Sequence, residues 1–285
     1  MTIERIIAPR QRRVGAGEVD RLLPFHARRM VGPFIFADLM GPDALGAGHG
    51  VDVDAHPHIG LSTLTYLFAG QLVHRDSTGA VQTIEPGAVN WMTAGAGVCH
   101  TERSTPDDRP RASELWGLQT WIALPDEAQD GEPFFEHHPT DAIGAEVRGG
   151  STVRVVAGEG WGRQSPVGVS SPLVLAELAL DGDTSLVVDT PAPERAVLNV
   201  EGELRVAGAD LPAGHLAVLE RGARVELTGR ARAMVLGGEP VGARHIWWNF
   251  VHRDPDRIEE AKRDWAAQRF PEVPGDHQPW VPLPS

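Results

Sequence analysis

Short apolar runs, broken at close intervals by Gly, Pro and polar turn residues, dominate this chain. Leu61–Phe68 ends at Gly70, and Leu72–Arg75 leads to Ser77-Thr78-Gly79. Val81–Ile84 returns to Glu85-Pro86-Gly87, and Val89–Met92 runs on to Ala94-Gly95-Ala96-Gly97. Segments of this length alternating with breakers predict the strands of a small antiparallel barrel. Val31–Pro42, ahead of them, reads as an apolar strand bracketed by Gly and Pro. Residues 43–54 then read as a loop at the mouth of the barrel. Leu115–Leu124 is a further strand, stopped by Pro125.

The second half repeats this texture in worn form. Val197–Gly202 followed by Glu203–Val206 echoes Leu64–Gly70 followed by Gln71–Val73, and Leu211–Leu219 echoes Ile84–Met92. Residues 131–150, rich in turn and charged residues, read as a connector. A helix is expected over 255–270. Asp254 is placed to cap it, Pro255 lies in the first turn, and Ile258, Ala261 and Trp265 share one face. Pro271 ends it, and the Pro-rich tail 271–285 should lie against a barrel. The expected architecture is all-β: an N-terminal barrel over 1–130, the connector, and a C-terminal barrel over 151–285 that ends in the helix and tail.

At 285 residues, with 41% hydrophobic content, 32 Gly and 23 Pro, the chain suits two strand-rich domains rather than a helical bundle. A formal charge of −13 disfavours a phosphate backbone as partner, so direct nucleic-acid binding is not expected. One cysteine cannot close an internal disulfide, and neither a secretion signal nor a bilayer-length apolar run is evident. A cytoplasmic protein without membrane contact is the expectation. Arg10, Arg12, Arg13, Arg28 and Arg29 read as solvated charges.

The candidate chemistry lies in two pairs, His56-Pro57-His58 and His100-Thr101-Glu102. Residues i and i+2 of a strand project to one side, so His56 and His58 point together, as do His100 and Glu102. If the two strands face each other across a barrel, three imidazoles and one carboxylate converge. A mixed nitrogen and oxygen set with vacancies suits an octahedral, often redox-active ion such as iron(II) better than a closed structural zinc site. His137-His138 point to opposite faces and cannot chelate one ion from regular strand. His74-Arg75-Asp76 matches three letters of a kinase catalytic loop but lacks its companions, and reads as strand-to-turn. Cys99 is turned away from the metal pair, toward core packing. No Walker A, HExxH, GxSxG or zinc-deaminase pattern is present.

Together, His56-Pro57-His58, Thr65-Tyr66, Gly70–Ser77 and Trp91–Glu102 resemble the pirin family of the cupin superfamily, in its order and over nearly the whole chain. The resemblance implies two tandem cupin (double-stranded β-helix, jelly-roll) barrels, with iron held in the first by His56, His58, His100 and Glu102. Independently, carrying the ligand offsets across the internal echo, from Gly202 to Val188 and Thr190 and from Gly214 to Leu227 and Gly229, indicates that the second copy keeps the strands and has lost the ligands. Ser62 stands where many relatives carry Glu. Fe(II) is the expected metal, with Mn, Ni, Cu or Zn as other ions the shell accepts. The implied activity is a quercetin 2,3-dioxygenase-like oxidation of a flavonol or other phenolic substrate by dioxygen. Glu102 would also act as general base, and Leu61, Trp91 and Phe36 are candidate apolar walls. The alternative is a non-enzymatic, redox-responsive iron-binding regulator acting through protein partners.

Overall fold

The computed structural model describes residues 2–14, 17–182 and 184–284, and the fold is mostly β-strand with one substantial helix. Two compact units form: Met1–Gln11, Asp20–Leu39 and Thr140–Pro240 make one, and Arg12–Val19, Met40–Pro139 and Val241–Ser285 the other. Residues 241–285, placed by sequence in the C-terminal barrel, thus group with the candidate metal pairs. Contacts between strands are non-local, so composition along the chain does not reveal such a return.

In the unit holding the histidines, one sheet runs in the order Asp52–His58, Val98–Ser104, Leu72–Asp76, Val81–Ile84. Opposite it, Phe134–His138, Val89–Thr93, Leu61–Ala69 and Ser113–Ala123 are neighbours in that order. Side chains cross between the sheets: Thr65 meets Glu102, Trp121 lies edge-on to His58, and Phe135 stacks on His74. These contacts make the space between the sheets the barrel interior.

Three expectations change in detail. Phe134–His138 is not connector but a strand, paired along its length with Val89–Thr93. The strand that begins at Phe34 continues to Leu45, which shortens the expected loop. The helix spans Pro255–Ala266, with Ala267 as its C-cap, one turn shorter than its expected end at 270. Asp254 does cap it, accepting from the Asp256 N–H, and Ile258, Ala261 and Trp265 are its buried residues.

That helix covers the outer face of the metal-pair strands. Cys99 packs with Phe250, Ile258, Ala261 and Trp265, and burial pushes its thiol up to about 12. The tail is tied down beside it. Asp276 accepts from Thr101 Oγ1 at 2.9 Å and from Arg103 Nε at 2.8 Å, while Trp265 Nε1 donates to the Val281 carbonyl at 2.9 Å. The Val281 N–H donates to the Ala55 carbonyl at 2.8 Å. Ala55 lies where the Asp52–His58 strand has an irregular register against Val98–Ser104, so the tail pairs with backbone at that bulge.

The other unit is a sheet of ten strands built around Leu173–Asp181, Glu194–Val206 and Glu226–Gly238. Its core includes Val155, Val174, Leu178, Val197, Leu227 and Val235. Leu227 is fully buried and Val188 is 3% exposed, so two of the echoed ligand positions are spent on apolar packing. Glu194–Val206 is one continuous strand rather than two strands meeting at Gly202, with a register shift between Asn199 and Glu201. Two of the N-terminal arginines are structural rather than solvated: Arg10 donates to the carbonyls of Leu22 and Pro24, and Arg28 pairs with Glu194 at 3.1 Å. Among the described residues, no helix is long and apolar enough to cross a membrane.

Candidate metal centre

Strand alternation works as the two sequence pairs require. Thr101 and Arg103 face outward to Asp276, and His100 and Glu102 face inward. The two strands do not face each other across the barrel, however. They are hydrogen-bonded antiparallel neighbours in which His56 is the register partner of His100. The imidazoles therefore meet side by side on one sheet. Ring centroids of His56 and His100 are 4.2 Å apart, and those of His58 and His100 are 5.0 Å apart.

One ligand atom from each of His56, His58 and His100 lies within 4.8 Å of the others, and all three residues are buried. Their exposures are 8%, 1% and 1%. The far ring nitrogens of two of them end on carbonyl oxygens, which can only accept. His56 Nδ1 lies 2.8 Å from the Asp54 carbonyl, and His58 Nδ1 lies 3.1 Å from that of Asn249. Both Nδ1 atoms therefore carry the hydrogen, and both Nε2 atoms present a lone pair.

His58 Nε2 sits 3.1 Å from His100 Nε2. Two nitrogens bound at right angles to one ion, each about 2.1 Å from it, would be roughly 3.0 Å apart. The same spacing suits a hydrogen bond from His100 Nε2–H to the His58 Nε2 lone pair, so the two nitrogens are placed to share either a proton or a cation. The donor set thus fits a divalent ion.

Burial lowers all three histidine pKa values: His56 to about 4, and His58 and His100 well below their ordinary value. A neutral imidazole is the form that binds metal. Because these rings resist protonation when folded but titrate near 6.5 when unfolded, stability is full above about pH 6.5 and falls as pH drops toward 4. Metal-free protein should lose roughly 1.4 kcal/mol per pH unit for each such ring across that window. Thermal melts from about pH 7 to about pH 4.5 check this; a level melting temperature would contradict the burial argument.

The Glu102 carboxylate lies outside the 4.8 Å grouping of the three histidines but shares the inward face of its strand with His100. Its Oε1 lies 3.2 Å from Thr65 Oγ1, which is also 2.7 Å from Gln119 Oε1. One hydroxyl proton cannot serve both. With the Gln119 amide turned so that its NH₂ donates to Thr65, the hydroxyl is free to donate to Glu102. Burial raises the Glu102 pKa, against smaller lowering effects from His74 and Thr65.

Several other sequence-derived candidates separate from the site. Ser62 bonds Thr93 Oγ1 at 2.8 Å, as does the Trp91 indole N–H at 2.9 Å. These three lie on the strand faces opposite Thr65 and Asn90, so neither Ser62 nor Trp91 faces the histidines. Leu61 and Phe36 are buried core residues, and the Arg21 guanidinium lies over the Phe36 ring at 4.5 Å. His137 bonds Asn90 and His138 bonds Glu136, as their opposite facing requires. A surface cleft of about 410 Å³ lies in the other unit, lined in part by Glu159, Gln164 and Pro172 and by none of these candidate residues.

Two residues were missed from sequence. His74 and Asp76 lie at the register positions of Glu102 and His100 on the neighbouring strand, and are 5% and 0% exposed. The signal was the same i, i+2 spacing that marked the other pairs, hidden because strand neighbours are not written in one sequence.

Comparison with known proteins agrees with this architecture. The Pirin family profile matches residues 16–122, and that of the Pirin C-terminal cupin domain matches residues 175–271. A pirin-like protein of Caulobacter vibrioides is 44% identical over 99% of this chain and 100% of its own length. A Pseudomonas aeruginosa protein with the provisional name quercetin 2,3-dioxygenase is 42% identical over 92% of this chain and 83% of its own. The crystal structure of an Acinetobacter baumannii quercetin 2,3-dioxygenase superposes with a TM-score of 0.91 at 34% identity, covering 99% of this chain and 95% of that one. With both barrels matched in order and a relative aligned from end to end, the chain belongs to the pirin family of the cupin superfamily.

Proposed function

We propose that the first barrel is a metal-binding domain in which His56, His58, His100 and Glu102 hold one divalent ion, and that the protein uses it to oxidise a flavonol-like phenol with dioxygen. The observation that carries this reading is the convergence of buried Nε2 atoms, two of them 3.1 Å apart, with the His56 and His58 lone pairs turned inward by backbone carbonyls. The likeness to a quercetin 2,3-dioxygenase at 34% identity supports the substrate class.

Iron(II) bound there would supply Lewis acidity toward a phenolate oxygen and a place for dioxygen. The protein's own groups do the rest. Glu102, its pKa raised by burial, is the base that takes the phenolic proton, and Thr65 orients it at Oε1. Trp121 lies edge-on to His58 at 5.1 Å and helps keep water from the imidazoles. The second barrel, with none of its four echoed positions a metal-binding residue type, acts as a structural half.

The test is oxygen uptake with quercetin after separate reconstitution with iron, manganese, nickel and copper. Uptake with a ring-opened product, abolished in His58→Ala, is the expected result. A flat trace with every metal would overturn the quercetinase reading. Stoichiometric metal combined with a flat trace would shift the assignment to an iron-responsive regulator acting through protein partners.

A further inference from the structure

The third histidine is held differently from the other two. His56 and His58 each point their Nδ1 at a backbone carbonyl, but His100 Nδ1 faces a side chain, His74 Nδ1, at 3.4 Å. Behind it, His74 Nε2 lies 2.8 Å from Asp76 Oδ2. All three residues are at least nine-tenths buried.

Hydrogen bookkeeping assigns each proton in this row. Asp76 Oδ1 accepts from the Thr78 N–H at 2.8 Å, the Thr78 hydroxyl at 2.6 Å and the Ala80 N–H at 3.2 Å. One carboxylate oxygen thus builds the turn, and the other is left for His74. Three donated hydrogens on Oδ1 favour the ionised form of the Asp76 carboxyl. An ionised carboxylate only accepts, so His74 Nε2 carries the hydrogen. With that hydrogen on Nε2 facing Asp76, Nδ1 is the His74 atom that faces His100 and can accept from His100 Nδ1–H. That leaves the His100 Nε2 lone pair facing His58 Nε2, matching the tautomers that carbonyls impose on His56 and His58. Phe135 stacks on His74 at 4.5 Å and 17°, fixing the plane of the ring through which the row runs.

We propose that His74, anchored by Asp76, is a positioning residue that sets the tautomer and orientation of His100 and thereby the metal affinity of the three-histidine site. The inference rests on the metal-binding reading above. Partners of this kind behind a ligating histidine typically change metal affinity by about 10- to 100-fold.

Two variants separate the acceptor from the bulk. His74→Phe keeps a flat ring against Phe135 but has no acceptor for His100. His74→Asn places an amide oxygen near the former Nδ1 position, restoring an acceptor. Cobalt(II) dissociation constants, measured by competition with a chromophoric chelator on full-length protein, should rise about 10- to 100-fold in His74→Phe and recover most of the way in His74→Asn. Equal cobalt affinity in the parent and His74→Phe, or no difference between the two variants, would overturn the proposal. A parent that binds no stoichiometric cobalt would overturn the metal reading itself, and this inference with it.

A second readout does not depend on the variants folding. Histidine nitrogen NMR of the zinc-loaded parent should show His74 carrying its hydrogen on Nε2, with Nδ1 as the acceptor. A doubly protonated ring, or an Nδ1–H tautomer, would overturn the assignment.

Discussion

His58→Ala protein, purified from cells supplied with iron and manganese, should carry almost no metal, whereas the parent should carry about one ion per chain. His58 offers an Nε2 that is 3.1 Å from His100 Nε2 and is turned inward by the Asn249 carbonyl. Apparent binding energies of about 10–16 kcal/mol for four-ligand zinc sites imply roughly 3 kcal/mol per ligand, so losing one weakens binding by about a hundredfold or more. Elemental analysis of the metal-to-protein ratio reads this directly. His137→Ala is the control, because His137 bonds Asn90 and is outside the three-histidine group. Unchanged metal content in His58→Ala would remove the basis for the proposed function.

Gly60→Ala should be among the most damaging single-methyl additions in the chain. Gly60 follows the His56-Pro57-His58 strand with φ of 67°, a conformation that costs an L-residue roughly 1–2 kcal/mol. Space makes the change far worse: an added Cβ would lie 1.9 Å from the Val251 carbonyl oxygen. That oxygen cannot simply retreat. The Val251 N–H is bonded to the Ile59 carbonyl, the Gly60 N–H to Gly95, and the Gly60 carbonyl to the Leu124 N–H. Relief would require moving the Phe250–His252 strand, next to the Asn249 carbonyl that fixes His58. The expected cost is on the order of 4 kcal/mol or more, a fall in melting temperature of about 10 °C or more for a chain of this size, with weaker metal binding. Gly48→Ala separates strain from clash, since Gly48 has φ of 85° and nothing within 4 Å of its added Cβ. It should cost only the strain, about 1–2 kcal/mol. Equal losses in the two variants would refute the steric argument.

The two predictions bear on one arrangement. The strands that carry His56, His58, His100 and Glu102 are hydrogen-bonded by chain that arrives late in sequence: Asn249 on His58, Val281 on Ala55, and Asp276 on Thr101 and Arg103. Removing the C-terminal segment would therefore reach the imidazoles through the backbone groups that orient them.

Local chemistry determined a good part of this protein from sequence alone. Alternation along a strand has a period of two, so His56 with His58 and His100 with Glu102 had to share faces, and Cys99 had to point the other way. Asp254, Pro255 and the spacing of Ile258, Ala261 and Trp265 specified the helix, because capping and amphipathicity act within a few residues. The order of motifs carried the family. Tertiary structure alone decided which strands are neighbours. It made His56 the partner of His100 instead of facing it across the barrel, and brought His74 and Asp76 beside Glu102 and His100. It also put Phe134–His138 into the barrel sheet, turned Ser62 away, and returned residues 241–285 to the first barrel. Alternation names the face of a side chain but not the strand across from it. Pairing and register are settled by contacts between residues far apart in the chain, and those are formed only when the whole sheet closes.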